Sequence, residues 1–142
     1  MLKNSAESSL SAKAFGKINL TLEVTARRTD GFHEINSIIQ TISLSDEVTV
    51  GHDSGLSLEQ SGYVLAPESD LALRAATLLR THAAISEGAM IKVHKNLPLS
   101  SGLGGGSSDA ATVLVILSSL WGLTLNKADI FSLAGSLGSD VP

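Results

Sequence analysis

Pro98-Leu99-Ser100-Ser101-Gly102-Leu103-Gly104-Gly105-Gly106-Ser107-Ser108 is the stretch of this chain whose residue types suit the holding of a ligand. Gly102, Gly104, Gly105 and Gly106 let the backbone take positive φ and approach a bound group closely. Ser107 and Ser108 follow at the start of a helical run, where unpaired N–H groups and the positive end of the helix dipole face outward. Free amides, hydroxyls and a close backbone together make a cradle for phosphate. A flexible linker has a similar composition. A linker, however, is not usually pinned between a strand-like run over 89–94 and an apolar helical run over 109–120. Two other phosphate motifs fail. The Walker pattern needs Gly-Lys-Ser/Thr, and no lysine stands between Asn96 and Asn126. The dinucleotide fingerprint needs glycine at the sixth place of G-x-G-x-x-G, and counting from Gly102 that place is Ser107.

Other side chains suited to chemistry are scattered. Lys17 and Asn19 lie on the polar side of an alternating run over 12–24, whose other side is Ala12, Ala14, Ile18, Leu20, Leu22 and Val24. Gly16 before them leaves room for a ligand. On pattern alone Lys17 is a solvated strand lysine. Asp30-Gly31 is a turn signal, and Phe32 and His33 follow it as an aromatic pair. They are either the cap of a hairpin or a ring to stack on a heterocycle with an imidazole to hydrogen-bond it. Asp140 sits just beyond a helix stop at Gly138 and alone reads as a turn aspartate.

The elements that must position these residues are a series of strands and helices. Strand patterns cover 12–24, 35–44, 46–50 and 56–60, with Asp53-Ser54-Gly55 as the turn between the last two. A helix opens at Pro67-Glu68-Ser69-Asp70, with Ser69 as its N-cap. It carries Leu71, Ala75, Leu78, Leu79 and His82 on one stripe, which makes His82 a histidine at the edge of the core. The strand over 89–94 turns Ala89, Ile91 and Val93 to one side. The helix over 107–120 is apolar on nearly all sides and should be central. Gly122 stops it, and Asn126-Lys127-Ala128-Asp129 caps a last helix that ends near Gly138. The fold class is α+β, a mixed or antiparallel sheet with helices.

With 142 residues, 43% hydrophobic and 17% charged, the chain is long and apolar enough for one folded domain. A net charge of −4 and a pI near 5.4 argue against nucleic acid or an anionic membrane as partner. With no cysteine there is neither a disulfide framework nor a thiolate metal site, as in many cytoplasmic proteins. No apolar run reaches membrane-spanning length, and the N-terminus lacks a signal-peptide core. Residues 1–11 are serine-rich and polar and read as a flexible leader; residues 12–142 form the domain. Ending on Val141-Pro142, directly after a helix stop, predicts a chain cut short within a longer protein.

The loop is similar to the ATP loop of the GHMP kinases, roughly Pro-x-x-x-Gly-Leu-Gly-Ser-Ser, matched here by Pro98, Gly102-Leu103-Gly104 and, after two further glycines, Ser107-Ser108. The family's Lys-x-Asn strand is matched by Lys17-Ile18-Asn19, and its Gly-x-Asp-Val-Pro by Gly138-Ser139-Asp140-Val141-Pro142. The resemblance implies the family's N-terminal ATP-binding domain, a mixed sheet backed by helices, with a C-terminal domain of similar size to follow. The same domain shape occurs in ribosomal and chaperone-type proteins. It also implies ATP and Mg²⁺ as cofactors, Lys17 and Asp140 as the catalytic pair, and residues 98–108 around the triphosphate. Asp70 stands where the family usually has an adenine-binding asparagine. A carboxylate there can accept a hydrogen bond from the adenine amine but cannot donate one. One branch of the family reads Asp-Gly-Tyr/Phe-His where this chain has Asp30-Gly31-Phe32-His33, and there these residues hold a cytosine. The implied partner is thus a small-molecule cytidine diphosphate, bound by Asn19, Phe32 and His33 and phosphorylated on a hydroxyl. Branches acting on homoserine or a mevalonate, and a nucleotide-binding module without catalysis, are the alternatives.

Overall fold

Period-two patterning decides which side of each strand meets the helices. The computed structural model describes residues 9–29, 31, 33–63 and 70–142. Its elements in order are β1 (Ser9–Arg27), β2 (His33–Asp53), β3 (Leu56–Gly62), α1 (Leu71–His82), β4 (Gly88–Lys95), α2 (Gly105–Leu120) and α3 (Lys127–Leu137). The strands form one sheet in the order β1-β2-β4-β3. β2 is antiparallel to β1 and to β4, and β3 runs parallel to β4, so of the mixed and antiparallel arrangements the pattern left open the sheet is the mixed one, as the resemblance implies. Val48 and Val50 from β2 and Ala89, Ile91 and Val93 from β4 turn to one side. There they pack with Ala72, Ala75, Ala76 and Leu79 of α1, Val113, Leu114 and Leu117 of α2, and Leu133 and Ala134 of α3. α2 is central, touching α1, α3, β1 and β2. α3 is capped by Asn126, whose side chain accepts from the Asp129 N–H at 2.9 Å.

Several expectations are corrected. The two strands expected over 35–44 and 46–50 are one, β2. The break falls instead on the pairing with β1, where Phe15 faces Ser45 but Lys17 faces Thr41. Ser9, Leu10 and Ser11, assigned to the leader, pair with Gly51, Val50 and Thr49 as the start of β1; residues 1–8 lie outside the described residues. Ile18, Leu20, Leu22 and Val24 do not face the core. Beyond Gly16, β1 and β2 form a two-stranded ribbon with no helix on it among the described residues, and Leu20, Leu22, Val24, Ile35, Ile38 and Ile39 are each between 57% and 61% exposed. Bulges in β1 between Asn19 and Thr21 and between Val24 and Ala26 interrupt the alternation that the sequence shows as continuous. His82 is exposed, because the buried stripe of α1 is Ala72, Ala75, Ala76 and Leu79. The proposed N-cap Ser69 lies outside the described residues. Asp70 fills the cap position, its Oδ1 accepting the Ala72 N–H at 2.7 Å.

The turn at Ser54 and Gly55 joins two strands that are not neighbours, because β4 inserts between them. Its first residue, Gly88, sits against that turn. A Cβ there would lie 2.4 Å from the Asp53 carbonyl oxygen and 2.5 Å from the Gly55 nitrogen, all of it backbone that cannot step aside. Gly88→Ala is therefore expected to cost about 2–3 kcal/mol in a urea unfolding titration. Gly55→Ala, where a Cβ meets nothing within 4 Å, is expected to change stability by no more than about 0.5 kcal/mol.

Candidate active site

The glycine stretch becomes a cradle because α2 starts inside it. The helix opens at Gly105, earlier than the apolar pattern alone suggests, with Gly104 as its N-cap at φ 71° and no side-chain cap. The first intrahelical bond runs from the Ser108 N–H to the Gly104 carbonyl at 2.9 Å. The N–H groups of Gly105, Gly106 and Ser107 thus have no acceptor within the helix and sit at its positive end. Ahead of them, Ser100 (φ 54°) and Gly102 (φ 76°) turn the chain, and the Ser101 hydroxyl donates to the Pro98 carbonyl at 2.7 Å. Pro98 through Ser107 line a cavity of about 300 Å³, completed by Leu71, Lys95 and Leu97. Of the residues expected around a triphosphate, Ser108 alone of 98–108 is not on its wall.

Lys17 is tied to this loop. Its N–H donates to the Leu103 carbonyl at 2.9 Å, and its aliphatic stem passes over Gly104, where a Cβ would come within 3.2 Å of it. Lys17 Nζ stands 3.6 Å from Asp140 Oδ2, with Asp140 about half exposed. The structure therefore brings together the loop, Lys17 and Asp140, which are far apart in sequence. Gly16 does not make room for a ligand: a Cβ there would lie 2.8 Å from Leu97 Cδ2 and 3.3 Å from Ile42, so the space is filled by the chain itself.

The remaining candidates divide. Asn19 accepts from the Ser37 hydroxyl at 3.2 Å on the ribbon. Register pairs Lys17 with Thr41, Asn19 with Ile39 and Arg27 with His33. Since residues 33, 35, 37, 39 and 41 share one side of β2, His33, Asn19 and Lys17 share a face. Eight residues of strand separate Thr41 from His33, roughly 26 Å if straight. Phe32 lies outside the described residues. Asp70 is buried and its carboxylate is engaged twice, by the Ala72 N–H and by Gln60 Nε2 at 3.1 Å, so the adenine contact expected of it competes with a helix cap.

Three charged residues without a motif meet beneath the cradle. Lys95 Nζ donates to Asp46 Oδ2 at 2.8 Å and to Asp109 Oδ2, and all three side chains are buried. The signal for two of them was in the alternation. Period two, which buries Ala89, Ile91 and Val93, also buries Lys95, and the parity of Val48 and Val50 is that of Asp46. Burial pushes the Asp109 carboxyl up to about 7 against the opposing pull of Lys95. Lys95 itself is held above its ordinary value by the two carboxylates, which outweigh its burial.

The model of the GHMP kinases N terminal domain matches residues 70–142, and the chain belongs to the GHMP kinase family. Within it, the chain is 44% identical over 134 residues to the 4-diphosphocytidyl-2-C-methyl-D-erythritol kinase of Chlorobium phaeobacteroides, covering 94% of this chain and 47% of that protein. It is equally 44% identical over 138 residues to the kinase of that name from Mycolicibacterium vanbaalenii, covering 94% and 43%. A crystal structure of 4-(cytidine 5'-diphospho)-2C-methyl-D-erythritol kinase superposes with a TM-score of 0.79 at 39% identity, over 94% of this chain and 47% of that one. The chain thus spans less than half the length of these relatives.

Asp109 gives the site a pH signature. With an ordinary value of 3.8 and a folded value of about 7, the folded chain binds the extra proton between those limits, so this group's contribution to stability falls as pH rises through that window and is flat above it. Unfolding titrations are expected to show stability declining from pH 5 to 7.5, by at most about 2.5 kcal/mol from this group. Asp109→Asn should remove that decline.

Proposed function

We propose that this chain is the nucleotide-binding part of an ATP-dependent kinase that phosphorylates the 2-hydroxyl of 4-diphosphocytidyl-2-C-methyl-D-erythritol, a step toward isoprenoid precursors. The observation that carries this reading is the Lys17–Asp140 pair, 3.6 Å apart and fastened through Leu103 and Gly104 to the mouth of the cradle. Relatives of that name at 44% identity support the choice of acceptor.

Phosphoryl transfer is mostly positioning and electrostatics. The free N–H groups of Gly105, Gly106 and Ser107 take phosphate oxygens at the helix N-terminus. Asp140 accepts the proton of the acceptor hydroxyl as its oxygen attacks the γ-phosphorus and the bond to ADP breaks. The Lys17 ammonium balances charge on the attacking oxygen and the transferring group. Among the described residues no three acidic or histidine side chains gather to hold a metal. A Mg²⁺ carried mainly by the phosphates would take a serine hydroxyl of the loop as its protein ligand, Ser107 being on the cavity wall and Ser108 next to it, and would neutralise phosphate charge. His33 and Asn19 lie on the Lys17 face of the ribbon, so one acceptor touches both ends if the ribbon curves over the cradle, which the bulges of β1 favour. Phe32 would stack on the cytosine. ATP and the charged acceptor are metabolites of the cytoplasm, the location we propose.

The test is calorimetry with ADP and with the acceptor, followed by ³¹P detection of transfer. Asp140→Asn is expected to leave ADP affinity within a few-fold and to lower transfer by about 10²–10⁴-fold. His33→Ala should weaken the acceptor and spare ADP. Failure of the folded wild-type chain to bind ADP would contradict the reading.

A further inference from the structure

The segment from Pro98 to Gly104 has no regular structure, yet both of its ends are held by one buried ammonium. On the entry side, Asp46 Oδ1 accepts the backbone N–H groups of Asn96 at 2.6 Å and Leu97 at 2.7 Å, while Asn96 Nδ2 donates to the Ser45 carbonyl at 3.0 Å. On the exit side, Asp109 belongs to the second turn of α2, the helix whose free amides form the cradle. Lys95 joins the two carboxylates and lines the floor of the cavity. Leu97 then packs beside Gly105, where a Cβ would lie 3.2 Å from Leu97 Cβ, so entry and exit touch.

Stability alone is a poor reason for this cluster. Burying ions costs several kcal/mol each, and apolar replacements of buried ion pairs are often no less stable. Two carboxylates and one ammonium also leave a net negative charge under a cavity built to receive phosphate. Asp109 Oδ1 is buried and has no hydrogen-bond partner among the described residues. The charged groups facing Asp109 are Lys95 from β4, Asp46 from β2 and Asp70 at the start of α1. Lys17 of β1 lies over Gly104 and pairs with Asp140.

We propose that Asp109 is a positioning residue of the nucleotide site: through Lys95 it holds the two ends of the glycine loop at the spacing that the phosphates of a nucleoside diphosphate or triphosphate need. This rests on the nucleotide reading above.

Two readouts test it in this chain. The first is hydrogen exchange of the loop amides over 97–106 without nucleotide. Asp109→Asn is expected to speed exchange there by about tenfold or more while leaving Ile91 and Val93 in β4 unchanged. The second is ADP calorimetry: Asp109→Asn is expected to weaken binding by about tenfold or more, and Asp109→Glu, which keeps a carboxylate for Lys95, to recover part of that loss. Unchanged loop exchange together with equal ADP affinity in wild type and Asp109→Asn overturns the proposal. Should Asp109→Asn not fold, the wild type decides alone: the loop amides over 97–106 must exchange at least about tenfold more slowly than their intrinsic rates, and unprotected amides there overturn it. A wild type that binds no ADP sinks the nucleotide reading instead, and is distinguished because loop exchange is read without nucleotide.

Discussion

A lysine ammonium shut away from water must be neutralised by the groups it touches, and Lys95 sets that condition for this fold. Its partners come from separate elements, Asp46 from β2 and Asp109 from α2. The ammonium therefore fixes the two inner strands of the sheet relative to the central helix. Removing Lys95 would strand two buried carboxylates, which costs far more than a missing surface ion pair. The apolar core of α1, α2 and α3 against β2 and β4 supplies the driving force for collapse, but it is non-directional. The ion cluster, sitting where β4 ends and the glycine loop begins, defines where α2 must start.

That starting point is what makes the loop a site. The first turn of any helix offers unpaired N–H groups, and here nothing from the side chains caps them. Gly104 in the left-handed region lets Lys17 lie across the loop, and Lys17 in turn meets Asp140 at 3.6 Å. A cavity at a helix N-terminus, a cation and a carboxylate are thus assembled from β1, the loop and the segment after α3. Each depends on the one before: the ammonium places the helix, the helix places the loop, and the loop carries Lys17.

The readable parts of the sequence were those governed by local rules. β4 and its buried side, the capping of α3 by Asn126, the helix stop at Gly122 and the glycine turns ahead of α2 follow from periodicity, side-chain capping and glycine conformation. The resemblance to the GHMP kinases joined Lys17 to Asp140, which no spacing rule does. What was misread depended on the third dimension. Ile18, Leu20, Leu22 and Val24 alternate like a core strand but stand on a ribbon with no helix against it. Gly16 looked like space for a ligand, and Leu97 occupies it. Ser69 looked like the cap of α1, and Asp70 fills that position. Asp46, Lys95 and Asp109 matched no motif, although the parity of the first two placed them on the buried side, since a charge at a core position reads as an error until its partners are known.

The measurement that tests the account most directly is a titration of ¹⁵N-labelled protein with ADP, followed by amide chemical shifts. The account predicts that the largest changes fall on Gly105, Gly106 and Ser107, with smaller ones at Leu103 and Lys17. Changes confined to other parts of the chain, or none at saturating ADP, would contradict it.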